Sequence, residues 1–252
     1  MGLLIPEDRD YDEYTRQTGF NRYKQLLSRH FREWAVLNAV TVLGALPLIG
    51  GILVSVAASS VLVLIPASIL GGMIFGPFLS CLYDNMLRRM RDDVMPWRMN
   101  FAKSWKQNFW GSLVPGALLG LFVGMYCFMG MLFWWAAVPP GWATVLLYLL
   151  SAVLVLAVIK VYWPQLVLFR QKDSIRLRNC VLFILRNFRQ VFTAVLLEML
   201  YLAAMLLFAP WTLLLIPVTG IWYPVFFSLH RLYSLLDDAF EIESQFAEAE
   251  GD

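Results

Sequence analysis

Residues Trp34–Cys81 read WAVLNAVTVLGALPLIGGILVSVAASSVLVLIPASILGGMIFGPFLSC, a run without one charged side chain. A helix rising 1.5 Å per residue needs about 20 apolar residues to cross a hydrocarbon layer of about 30 Å. This block is therefore long enough for two crossings, and it sets the class of the whole chain. Composition agrees over all 252 residues: 60% are hydrophobic, 15% are charged and the mean hydropathy is +0.64. A water-soluble fold of this size must still clothe its surface in polar groups, and this chain has too few. The expectation is an all-α polytopic membrane protein.

Outward from the first block, four more uncharged or nearly uncharged stretches follow. The spans are expected at about 34–56, 58–82, 111–137, 143–169, 191–209 and 212–229, six helices in three hairpins. Within the first block the turn has two candidate positions, Pro47–Gly51 or near Pro66. Pro139-Pro140-Gly141 marks the second turn and Pro210-Trp211 the third.

Charge orients the spans. Of the 20 Lys and Arg, six precede Trp34, six lie between Arg88 and Lys106, seven between Lys160 and Arg189, and the last is Arg231. None falls in the three candidate turns. By the positive-inside rule both termini and the basic loops 86–110 and 170–190 are expected in the cytoplasm, with the protein in the plasma membrane. An acidic segment, 1–14, precedes the first basic stretch, and the tail 230–252 holds seven acids from Asp237 onward. The tail reads as solvated.

Each hairpin is preceded by an amphipathic basic stretch. Phe20, Tyr23, Leu27, Phe31 and Trp34 recur at helical spacing in 15–33 and its junction; Val94, Trp97, Phe101, Trp105 and Phe109 do so in the second; Leu182, Leu185 and Phe188 in the third. Such helices lie in the membrane interface with basic residues toward anionic headgroups, or dock onto a cytoplasmic partner. The motifs His30-Phe31-Arg32, Asn108-Phe109-Trp110 and Asn187-Phe188-Arg189 stand at nearly equal intervals, each where a basic stretch meets its span. That spacing suggests a threefold hairpin repeat.

Candidate polar residues are few. Glu198 is the only carboxylate inside a span. A charge there costs about 2.5–3.5 kcal/mol on insertion scales, so it should face the bundle interior, as a relay or ligand, or else pair near the interface. Lys160 is its natural partner. Asp84 and Asn85 close the second span at a cavity mouth or simply at a helix end meeting water, and Asn108 sits where the second basic stretch enters the third span. Pro66, Gly71-Gly72 and Gly76-Pro77 interrupt the second apolar block, either freeing backbone for a substrate or letting helices pack closely.

Other classes find no support. The charge of +2 implies no nucleic-acid partner. Cys81, Cys127 and Cys180 are scattered, without metal-ligand or disulfide spacing. The acidic N-terminus is not a signal peptide, and Pro6 stands where a myristoylation signal needs Ser or Thr. His30 and His230, the two histidines, belong to no catalytic motif, and GxSxG, P-loop and dinucleotide turns are missing. No enzyme activity and no cofactor is expected.

Ala35-Val36-Leu37-Asn38, Leu46-Pro47, Gly76-Pro77 before Leu82-Tyr83, Arg88-Arg89 and Trp97 through Phe101 to Lys106-Gln107-Asn108-Phe109 together resemble the YesL-like membrane proteins of Gram-positive bacteria, a domain family of unknown function. Tyr162-Trp163-Pro164 and Leu177-Arg178-Asn179-Cys180 are similar to the second half of its pattern, so the likeness covers about residues 20–235. One departure is the wide separation of Pro47 from Gly76-Pro77, where the family passes quickly from a Leu-Pro break to the Gly-Pro. Either the first hairpin is enlarged or Ile65-Pro66 is the counterpart of that break. Members are often encoded beside sugar ABC importers, and the resemblance therefore implies an accessory role in carbohydrate uptake, with importer subunits as partners besides the lipid bilayer. Small residues along the spans also allow a second copy of the chain as partner. It supplies no catalytic or binding residues. The competing expectation is a small secondary transporter or channel built around Glu198, Asp84 and the interrupted second span.

Overall fold

A computed structural model describes residues 16–244 except 137 and 210. The acidic segment 1–14, the end of the acidic tail and Pro210 of the expected third break lie outside the described residues. The described chain is helical throughout: α1 Gly19–Ala57, α2 Val61–Met90, α3 Trp97–Trp135, α4 Trp142–Leu168, α5 Asp173–Arg186, α6 Phe188–Leu207, a 3₁₀ segment Trp211–Leu215, α7 Ile216–Thr219 and α8 Trp222–Phe240. Five helices, α1, α2, α3, α4 and α6, are long and apolar enough to cross a membrane. The chain is built as a multi-pass helical membrane protein.

Two of the basic stretches are not separate helices. α1 and α3 each run 39 residues, about 58 Å, and carry their basic amphipathic turns straight into the apolar span. Nothing between Phe31 and Ala35, or between Lys106 and Gly111, breaks the helix, so the hydrogen-bond ladder continues. The third stretch is its own helix, α5, set off from α6 at Asn187 (φ −116°, ψ 33°).

The first turn lies at neither proline. Pro47 is inside α1, and Pro66 and Pro77 are inside α2. α1 instead ends at Ala57 in a full left-handed cap: Ser59 has φ +48°, its N–H donates to Val56 O (2.9 Å), and the Ser60 N–H donates back to Ser55 O (3.1 Å). These two bonds satisfy carbonyls that a helix end leaves free. A proline removes one N–H and crowds one carbonyl, which neighbouring helices can absorb in a membrane bundle. Proline therefore does not mark the turn in this block.

The expected span 212–229 is divided. Pro217 stands in the first turn of α7 and Pro224 in the first turn of α8, where a missing N–H costs nothing, and between them the helical hydrogen-bond ladder is interrupted at Gly220-Ile221 although both residues keep right-handed helical dihedrals. α8 then continues past residue 229 to Phe240, because Leu229, Leu232 and Leu236 keep one buried face at helical spacing.

α2 is the centre of the bundle, in contact with α1, α3, α4 and α8. On one side Ser68, Gly72 and Gly76 meet Ser112, Gly116, Gly120 and Gly124 of the antiparallel α3. A Cβ built on Gly72 would lie 2.7 Å from the Gly120 Cα, one on Gly76 2.9 Å from the Gly116 Cα, and one on Gly120 2.6 Å from the Gly72 Cα. On the other side a Cβ on Gly71 would lie 2.7 Å from the Leu48 backbone nitrogen of α1. These are backbone-to-backbone approaches with no side chain to move aside. Between equally apolar surfaces, such close packing is what holds membrane helices together. The interruptions read from Gly71-Gly72 and Gly76-Pro77 are packing faces of an unbroken helix.

Gly120→Ala is therefore expected to lower stability by about 1–3 kcal/mol through overpacking. Gly111→Ala in the same helix, where a Cβ meets nothing within 4 Å, should be neutral or gain about 0.5–1 kcal/mol. Thermal unfolding of both variants in one detergent checks the contrast; equal effects would contradict it.

Candidate functional site

Two of the polar residues singled out from the sequence meet. Lys160 of α4 and Glu198 of α6 form an ion pair at 2.9 Å, with side chains 2% and 10% exposed. Lys160 comes two turns before the end of α4 and Glu198 nearly three turns after the start of α6, so the pair lies about 12–15 Å along each helix from the basic end of the bundle. Tyr83 of α2 is buried against Lys160, and Trp163, one turn along α4, packs 6.4 Å from the Tyr83 ring. Three helices thus converge on one neutralised pair. Glu198 Oε2 and Trp163 Nε1 are buried without a hydrogen-bond partner.

Asp84, Asn85 and Asn108 do not join it. Asp84 accepts from Arg88 Nε at 3.0 Å within α2. Asn85 donates to the Cys81 carbonyl of its own helix at 2.8 Å, leaving Oδ1 buried and unpartnered. Asn108 donates to Ser104 Oγ, also within its helix, at 3.2 Å.

The most densely bonded polar side chain at depth is one the sequence reading passed over. Asn38 of α1 is fully buried and reaches across to the interrupted hydrogen-bond ladder before α8. Its amide nitrogen donates to Ile216 O (2.7 Å) and Pro217 O (2.8 Å), and its oxygen accepts from the N–H groups of Ile221 (2.8 Å) and Trp222 (3.0 Å). Tyr201 of α6 donates its hydroxyl to Thr219 O at 3.1 Å, and the indole N–H of Trp222 donates to Val218 O. Every carbonyl from Ile216 to Thr219 therefore has a donor. Irregular backbone at membrane depth is tolerated only when protein supplies such partners. A hint was present: Asn38 is the one amide side chain between Trp34 and Cys81. Aromatic rings surround it, with Trp34 4.4 Å from Phe226 and 5.3 Å from Trp222.

At the basic end a further set of ion pairs stitches the helices. Arg89 of α2 donates twice to Glu33 of α1 (3.0 and 3.1 Å), Arg22 of α1 donates twice to Asp92 (2.8 and 2.9 Å) and once to Met90 O, and Arg88 bridges Asp84 and Asp93. Arg16 pairs with Glu243, bringing the two described ends of the chain together. Burial alone would raise the Glu33 carboxyl, but its hydrogen bond with His30 and the Arg89 charge outweigh that and hold it below its usual 4.5. Burial, with Arg89 nearby, keeps the His30 imidazole below its usual 6.5. All six acids from Glu33 to Glu198 are in ion pairs.

The arrangement thus has one neutralised pair at depth, one clamped break and a stitched basic end. Among the described residues no three His, Cys, Asp or Glu side chains gather to hold a metal. No protein-family model, no curated protein and no solved structure matches the chain.

The clamp makes Asn38→Ala costly. Two buried N–H groups and the Pro217 carbonyl would lose their partner, at about 1–3 kcal/mol each. Thermal unfolding should show a loss of at least about 3 kcal/mol, against a small effect for Thr41→Ala, whose hydroxyl bonds only the Leu37 carbonyl of its own helix. Similar stability of the two variants would overturn the clamp.

Proposed function

We propose that the chain is a non-enzymatic accessory or scaffold protein of the plasma membrane, of the YesL-like kind, serving carbohydrate uptake beside an ABC-type importer. In this reading it makes six crossings in three hairpins, with both termini cytoplasmic. The sixth crossing is the divided segment from Trp211 into α8. The supporting observation is the use made of its polar groups at depth. Lys160 neutralises Glu198 at 2.9 Å, and Asn38 closes the break before α8. Groups spent on holding helices to one another suit a scaffold better than a site that must bind and release cargo.

One observation favours the second reading, a small transporter or channel centred on Glu198: its Oε2 is buried without a hydrogen-bond partner. The two readings part on the paired replacement Lys160→Met/Glu198→Met. Removing either charge alone strands the other and should cost about 3–5 kcal/mol, whereas removing both should cost far less. A scaffold keeps its function in the folded double variant. A carrier that works through Glu198 loses transport while remaining folded.

The direct test is mild-detergent capture of the tagged protein from its own membranes, followed by mass spectrometry. Importer subunits recovered in fixed ratio, by wild type and double variant alike, are the expected result. Recovery of the chain alone or only with itself, together with flux in reconstituted vesicles that the double variant loses, would replace the scaffold by the transporter.

A further inference from the structure

Of the three basic amphipathic stretches, only the third is free to lie along the membrane. α1 and α3 continue the axes of their own spans, and Arg22 of α1 is taken up in the stitched basic end. α5 is held differently. A short link joins it to α4 and Asn187 alone joins it to α6, and both neighbours are long and apolar enough to cross a membrane. Both ends of this 14-residue helix, about 21 Å long, are thus tied to one membrane face.

One face of it is buried, and the exposed remainder carries apolar side chains and arginines together. Arg176, Cys180 and Phe183 are buried and fasten it to the protein: Arg176 lies over the Tyr162 ring and pairs with Asp173, Cys180 accepts from Gln165 at 3.4 Å, and Phe183 stacks on Phe240. Leu177, Val181 and Leu185, one turn apart, are 50%, 53% and 69% exposed. On the remaining side the exposed Arg178 and Arg186 alternate with Ile175 and Leu182, 46% and 55% exposed, and Arg189 at the start of α6 and Arg170 and Lys172 in the link from α4 add to the charge. None of these five cations has an acidic partner among the described residues, because Asp173 is already engaged by Arg176.

Exposed apolar side chains interleaved with cations that have no acidic partner, on a helix tied down at both ends, match one surface: acyl chains beneath anionic headgroups, to which long arginine side chains reach past the apolar ones. We infer that α5 is a binding surface for anionic phospholipid, with Leu177, Val181 and Leu185 against the acyl region and Arg178, Arg186 and Arg189 on the phosphate headgroups. This goes beyond the scaffold reading and does not depend on it, since a transporter could carry the same surface.

The test is native mass spectrometry of the full chain in detergent, titrated with phosphatidylglycerol and with phosphatidylcholine. Wild type should bind phosphatidylglycerol more tightly. Each surface arginine is worth about fivefold, so Arg178→Gln/Arg186→Gln/Arg189→Gln should weaken that binding about a hundredfold and leave phosphatidylcholine unchanged. The matched variant Arg98→Gln/Lys103→Gln/Lys106→Gln on α3 should keep most of the preference. Circular dichroism reports whether the triple variant folds; if it does not, the three single variants each carry the expected loss of about fivefold. Wild type that does not distinguish the two lipids, or a folded α5 variant that binds as wild type does, would overturn the inference. Displacement of the lipid by excess inorganic phosphate would assign the cations to a free-phosphate site instead.

Discussion

The contact on which the rest of the bundle depends is the backbone approach of α2 to α3 at Gly72, Gly76, Gly116 and Gly120. Lipid tails are as apolar as leucine, so burying leucine between two helices brings little advantage over leaving it in lipid. What remains is dispersion between closely apposed backbones, and the absence of a Cβ at these four glycines permits it. Gly71 does the same toward α1 on the opposite side. α2 is thereby fixed in rotation as well as position, and that rotation points Tyr83 at Lys160 and sets Arg89 against Glu33.

A second constraint, the cost of an unpaired polar group in hydrocarbon, accounts for most of what is not glycine packing. It draws Lys160 to Glu198, and it makes Asn38 the partner of a break in the helical hydrogen-bond ladder far away in sequence. The two solutions differ in kind. The Lys160–Glu198 pair joins two long helices and could be replaced by apolar contact, whereas the Asn38 amide bonds four backbone groups, of which only the Ile216 carbonyl has another partner, the Gly220 N–H. The first is compatible with a functional charge; the second is part of the frame.

Much of this was legible in the sequence, for physical reasons. The uncharged block from Trp34 to Cys81 has one stable environment, and the grouping of Lys and Arg marks which helix ends lie together. Lys160 and Glu198 could be paired on paper because each is the sole charge of its sign at depth in its span. The helix ends were less legible. Pro47 and Pro66 look like breaks, yet membrane helices absorb proline, and the actual turn uses Ser59 in a left-handed conformation that glycine more often supplies. The continuity of the basic stretches into α1 and α3 was hidden because a change from amphipathic to wholly apolar pattern looks like a boundary while the backbone ladder runs through it. The division of 212–229 turned on Asn38, which no local pattern connects to Pro217 and Gly220.

The central claim is the register of α2 on α3, and disulfide trapping in native membranes tests it most directly. With Cys81, Cys127 and Cys180 replaced by Ser, oxidation of Ser68→Cys/Gly124→Cys should cross-link the two helices within one chain, since a Cβ on Gly124 would lie 2.9 Å from the Ser68 Cβ and a parting of about 1 Å gives the separation a disulfide spans. Ser68→Cys/Gly116→Cys places the thiols about 12 Å out of step along α3 and should stay reduced. Efficient cross-linking of the second pair, or of neither in a folded chain, would contradict the glycine contact and the positions of Tyr83 and Arg89 that follow from it.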